Sequence, residues 1–411
     1  MIEAADIGRI GRHLAGRSAP ADATIWDMRI DADGDLAEDA ALLAHARHQT
    51  LMRAYQSRYV LLPTDGRAGD RTAGNAVEQL RRRYEPHTLA LVEGVRVGLE
   101  DLLVTPAIER ARAAASGTDW AAYADDLLKT VRGAPENPFT AFLRTSPQRE
   151  DHYRNFLLQS SADLLAEASA SALGCIGEFG PAQSALFRIL IDEFGYGVHD
   201  RKHSVLYRAV MRGFGLPDEY NACWPLFDTA ALRLHNTIHC LFQNPRYLFL
   251  QIGFLLHAET AYQRSTRDHF RYLAKFHPET DARYFGEHAH IDLHHTRMVI
   301  EEVAAPLVAA HGPEVGAEIV AGAELTRQVF ASAGDQMLAV SRAFDAAIDQ
   351  GRAVARRPDL SRLGAPVTQS SAARLDPSAL IQVGGLGAVE AGMFAGFPED
   401  AFGRLPAETE S

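Results

Sequence analysis

His288-Ala289-His290-Ile291-Asp292-Leu293-His294-His295 is the stretch on which the reading of this chain turns. His288, Asp292 and His295 stand at i, i+4 and i+7, which on a helix puts all three on one face within two turns. His290 and His294 then point elsewhere. Imidazole and carboxylate are the ligand types that non-haem iron accepts, and a face of two histidines and one carboxylate leaves positions open for O₂. The competing reading is a histidine-rich solvated helix, and the neighbouring segments have to decide between the two.

Those segments are helical by pattern. Residues 153–173, 182–213, 225–241, 245–275, 280–311 and 314–350 are long, apolar candidate helices. Pro181 suits the first turn of the second, and Gly213 to Pro217 ends it. Upstream, Leu42, Leu43, Ala46, Leu51 and Tyr55 recur at three- and four-residue steps, as do Val77, Leu80, Tyr84, Leu89, Leu91 and Val95. Breakers fall at Pro63 to Gly69, at Pro106 and from Gly133 to Pro138. Strand-like alternation is nearly absent, so the fold class is all-α. The expected organisation is an N-terminal helical region over 1–150, opening on an irregular lead-in, and a helical domain over 151–352. A Pro-, Gly-, Ala- and Ser-rich tail over 353–411 is expected to be poorly ordered or extended.

One triad cannot hold two metals, so other helices must supply carboxylates. Glu167 lies in Leu164-Leu165-Ala166-Glu167-Ala168, Glu193 follows Ile189-Leu190-Ile191-Asp192, and Glu259 follows Phe254-Leu255-Leu256-His257-Ala258. Carboxylates rarely sit on such apolar faces unless paired, hydrogen-bonded or bound to a cation. His203 is a further candidate, ten residues after Glu193. On an unbroken helix that interval is about 15 Å, so both reach one site only if Gly195 and Gly197 let the chain unwind. Asp200, three residues before His203, is an alternative partner to Glu193. His235 and His239 have ligand spacing but no neighbouring carboxylate, and read as packed or supporting residues. Glu287 and His290 match a ferritin-like ExxH that has no second copy. Arg201, Lys202 and Arg208 read as a solvated face.

Composition removes other classes. A net charge of −12 argues against nucleic acid as a partner. The cysteines Cys175, Cys223 and Cys240 are dispersed and form no CxxC pair, which fits a reducing cytoplasm. The N-terminus lacks the apolar core of a signal peptide, and no run approaches the roughly 18 apolar residues of a membrane span.

The set Glu167, Glu193, His203, Glu259 and His288-x₃-Asp292-x₂-His295 resembles the haem-oxygenase-like di-iron oxidases and oxygenases over roughly residues 150–320. The resemblance implies a haem-oxygenase-like helical bundle holding two non-haem iron ions, with O₂ as co-substrate. By carry-over, Glu167, His203 and His288 would bind one iron and Glu193, Asp292 and His295 the other. Glu259 would be a seventh, variable ligand with a catalytic role associated with amine N-oxygenation. The expected function is N-oxygenation of a small amine or amino-acid-like metabolite in a biosynthetic pathway, with an unidentified electron donor and a homodimer built on the N-terminal region. Desaturation, C–C cleavage or hydroxylation at the same metals is the alternative, a non-catalytic iron-binding protein a further one. The tail is too short and too poor in histidine for the cupin module that follows such a domain in an N-oxygenase of this family.

Overall fold

The apolar stripes of the sequence become helices throughout the computed structural model, which describes residues 40–60, 76–220, 223 and 227–349. No strand occurs among the described residues. The expected lead-in and the tail over 353–411 lie outside them.

The described helices divide between two units. The first comprises the described parts of Met1–Leu103, Asn221–Asn236 and Arg342–Ser411. Its leading helices are α1 (Ala40–Gln56), α2 (Ala76–Arg83) and α3 (Pro86–Leu103). Leu51, Met52 and Tyr55 of α1 and Val92, Val95 and Leu99 of α3 are buried, at the helical steps of the sequence pattern. The Tyr55 hydroxyl donates to Glu100 at 2.7 Å, and Arg96 pairs with the same carboxylate.

The second unit, Val104–Tyr220 and Thr237–Ser341, carries the candidate site. It opens with α4 (Thr105–Ala115), α5 (Trp120–Gly133) and α6 (Pro138–Leu143). Residues 104–150, read from sequence with the N-terminal region, pack within this unit. Arg112 pairs with Glu318 at 2.7 Å, Tyr123 donates to Glu324 at 2.9 Å, and the Asn137 backbone N–H donates to Asp268 at 3.0 Å. Next come α7 (Arg149–Leu164), α8 (Ser169–Gly174), α9 (Pro181–Glu193), α10 (His203–Gly213) and α11 (Thr229–Gln243). The long α12 (Leu248–Phe276) follows, then α13 (Arg283–Met298), α14 (Ala305–His311) and α15 (Pro313–Asp349); α11 and α15 each run across the division between the units. α13 packs along α12, which is the pairing that brings Glu259 to the histidine face. α12 crosses α15 where Gly253 meets Gly322. A Cβ on Gly253 would collide with the Ile319 carbonyl oxygen, and one on Gly322 with that of Leu250.

Three interruptions depart from the continuous helices expected from periodicity. The stripe over 153–173 breaks after Leu164, and Ala168 adopts a left-handed φ of 69° before α8 begins. The stripe over 182–213 unwinds between Glu193 and His203, through left-handed Gly195 (φ 64°), Tyr196 (φ 55°) and Gly197 (φ 77°) and two single 3₁₀ turns. A Cβ at Gly195 would stand 2.5 Å from the Arg201 carbonyl carbon and from Lys202 N, so glycine is required there. The third lies between α13 and α14, where Val299–Ala304 forms a π-helical turn. Pro306 has no N–H to return to the carbonyl four residues earlier, so the ladder loosens just ahead of it.

Candidate metal centre

Each break or helix face delivers one part of a buried cluster. The loop after α7 supplies Glu167, the end of α9 Glu193, the first residue of α10 His203, the middle of α12 Glu259, and one face of α13 His288, Asp292 and His295. His288, Asp292 and His295 are buried, while His290 and His294 on the same helix are exposed, as the spacing requires. Ligand atoms of Glu167, Glu193, His203 and His288 lie within 4.8 Å of one another, and so do those of Glu259, Asp292 and His295. Glu193 faces both groups. Its Oε2 is 2.6 Å from His203 Nδ1, and its Oε1 is 3.6 Å from His295 Nδ1.

Two ring orientations follow from their partners. His288 Nδ1 lies 2.8 Å from the Tyr284 carbonyl oxygen, which accepts its proton, leaving Nε2 bare and 3.2 Å from Glu167 Oε1. A lone pair facing a carboxylate at that distance needs a cation or an added proton between them. His295 turns Nε2 to Asp192 Oδ2 at 3.1 Å and Nδ1 to Glu259 Oε2 at 3.2 Å. The Tyr284 hydroxyl donates to Glu167 Oε1 at 3.0 Å.

The charge balance of the site is acidic. Both oxygens of fully buried Asp292, together with Glu167 Oε2, accept no hydrogen bond. The ion pairs of these acids among the described residues are with histidines, never with Lys or Arg. Burial pushes Asp292 well above the ordinary carboxylate range, and Glu259 and Glu193 add to it while His288 and His295 oppose. Burial by itself would lower His288, but Glu167, Asp292 and Glu193 outweigh it and hold that ring well above its ordinary value. Burial likewise works against the charged form of His295, yet Glu259, Glu193 and Asp192 raise it to about 10. For Glu193 burial raises, but His203, His288 and His295 prevail and lower it to about 2. These shifts are set by nitrogen and oxygen donors that converge on one another, and that donor set suits iron. Cys175 lines the adjoining cavity, but burial pushes its thiol up to about 11, so it stays protonated and outside the ligand set.

Among the other sequence candidates, Asp200 is exposed on the second 3₁₀ turn and joins neither group. Glu287 is exposed, and His235 and His239 are buried but belong to neither group. Arg264 turns to Asp268 at 3.6 Å, leaving Glu259 to His295. Sequence reasoning missed Asp192 and Tyr284, which hold His295 and Glu167. Tyr284 stands one turn before His288, and Asp192 is the unused neighbour of Glu193. A cavity of about 80 Å³ opens beside the cluster, with Leu186, Ile189, Leu190 and Phe254 among its walls and Glu167, Glu193, Glu259 and His288 on its metal-facing side.

A helical scaffold that converges four carboxylates and three histidines on one buried point is that of a metal-dependent redox protein. Residues 154–331 match the family of iron-containing redox enzymes, with a haem-oxygenase-like fold. Among individual proteins it is 35% identical over 283 residues to nitrosourea synthase of Streptomyces achromogenes subsp. streptozoticus. The alignment takes in 68% of this chain and 58% of that protein, so the chain matches little more than half the length of its relative.

Proposed function

We propose that this protein is a non-haem di-iron oxygenase that uses O₂ to oxygenate a nitrogen of a small amine or amino-acid-like metabolite. The observation that carries the reading is Glu193, one buried carboxylate with an oxygen toward each of two His/carboxylate groups. Glu167, His203 and His288 would hold one iron, and Glu259, Asp292 and His295 the other. Glu193 would span both, which revises its carried-over assignment to the second iron alone. Two ferrous ions supply electrons and open positions for O₂. The chain's residues keep donors and cavity in register: Tyr284 fixes Glu167, the Tyr284 carbonyl fixes the tautomer of His288, and Asp192 orients His295. The apolar walls exclude water from the reacting face.

Nitrogen as the oxygenated atom is supported by the relative, since a nitrosourea carries a nitrogen oxidised beyond the amine level. Placing one oxygen atom in an N–H bond and releasing the other as water takes two protons and two electrons from an external donor. The test is anaerobic loading with Fe(II), metal analysis and a visible spectrum of the full chain. Two irons per chain, lost in His288→Ala and Asp292→Ala while helical circular dichroism persists, is the expected result. Stoichiometric haem with its Soret band, or a single zinc, would overturn it. A homodimer through the N-terminal helices is part of the same reading, supported by exposed Val77, Val97 and Leu102 on α2 and α3; sedimentation as a monomer at micromolar concentration would contradict it.

A further inference from the structure

The cavity beside the cluster has an acid that the ligand set leaves unused. Asp163 lies on the last turn of α7, four residues ahead of Glu167, and both line the cavity. Among the described residues the Asp163 carboxylate accepts no hydrogen bond and pairs with no cation. Tyr262, one turn beyond Glu259 on α12, lines the same space and packs its ring edge on Phe330 at 5.3 Å between centroids. Glu167, Glu193, Glu259 and His288 form its metal-facing side, the rest of the wall is largely apolar, and no lysine or arginine among the described residues lines it. A carboxylate in such surroundings is costly unless something meets it. At about 30 Å³ per water the cavity has room for two or three, the size of a substrate's polar head group.

We propose that Asp163 is the specificity-determining residue of this site, taking the cationic nitrogen of a basic substrate. Tyr262 offers its hydroxyl to the same group, and the atom to be oxygenated then faces the Glu167 and Glu259 wall. The proposal rests on the oxygenase reading for what happens at that wall. Three probes test it on the full chain loaded anaerobically with Fe(II): methylammonium, methylguanidinium and neutral N-methylurea, each followed by calorimetry. At least one cation should bind tenfold or more tightly than methylurea, and the stronger of the two identifies the head group. Asp163→Asn should remove that preference while iron content and methylurea binding stay unchanged. Equal binding of all three by the wild type, or a preference that survives in Asp163→Asn, overturns the proposal. Carbodiimide labelling of the wild type keeps the test independent of how the variant folds. The preferred cation should protect Asp163 and methylurea should not, and equal labelling with both counts against it. Iron content and O₂ uptake of the same samples report on the oxygenase reading separately. Absence of iron sinks that reading, whereas a missing cation preference with iron in place sinks only the role of Asp163.

Discussion

Removing the Asp192 carboxylate should leave the fold intact and still weaken one metal position. Asp192 touches no ligand atom of the first group; it holds His295 through Nε2 and so aims Nδ1 at the site. Partners of this kind govern metal affinity by about 10–100-fold. Asp192→Ala should therefore hold one iron as the wild type does and bind the second at least tenfold more weakly, measured by Fe(II) titration with a competing chelator. Two equally tight irons would return Asp192 to the surface. Glu259→Ala makes a contrasting case. Asp292, His295 and Glu193 still surround that position, so most of the iron should persist while the yield of N-oxygenated product falls several-fold; unchanged product would deny Glu259 its role. The triad on α13 was legible because its spacing is local and its outcome is burial of three residues and exposure of two. Asp192 and Asp163 were not legible. An acid beside an apolar stripe looks solvated until another helix, here the one bearing His295, closes over it.

At the scale of elements, the helices could be read from sequence and their breaks only in part. The glycines at 195 and 197 signalled the unwinding that brings Glu193 to His203. Nothing in Leu165-Ala166-Glu167-Ala168 signals a stop, since all four residues suit a helix. Ala168 is held left-handed at a cost of about 1–2 kcal/mol that the surrounding packing must offset. The two glycines give a paired prediction. A Cβ at Gly195 meets the backbone of Arg201 and Lys202, whereas one at Gly197 meets nothing within 4 Å. Both have positive φ, so Gly197→Ala should cost about 1–2 kcal/mol and keep the iron. Gly195→Ala must in addition push the turn open, separating Glu193 from His203. It should cost more than Gly197→Ala in urea unfolding and lower iron occupancy as well. Equal effects of the two substitutions would mean that the turn does not set the distance between the ligands.

For the molecule as a whole, metals bound at the proposed centre would tie together five segments that are otherwise joined by loops, which would link folding to loading. A ligand that binds only the folded state at 100 times its Kd adds about 2.7 kcal/mol. For a domain of this size that corresponds to roughly 5–10 °C in Tm. The sign of the pH dependence comes from the protons the metal-free site takes up. His288 is held well above its ordinary 6.5 and His295 at about 10, so in that window both bind more protons folded than unfolded. Their contribution is complete below pH 6.5 and is lost as pH rises toward 10. Asp292, raised by burial, acts in the same direction from its ordinary 3.8 upward. Glu193, lowered to about 2, acts the opposite way, but only as pH falls below 4.5. The metal-free protein should thus lose thermal stability steadily between pH 6.5 and 10. The Fe(II)-loaded protein, in which metals replace those protons, should change far less. Anaerobic thermal denaturation of both forms across that range checks this, and a loading shift that stays constant with pH would mean the protons do not occupy the metal positions.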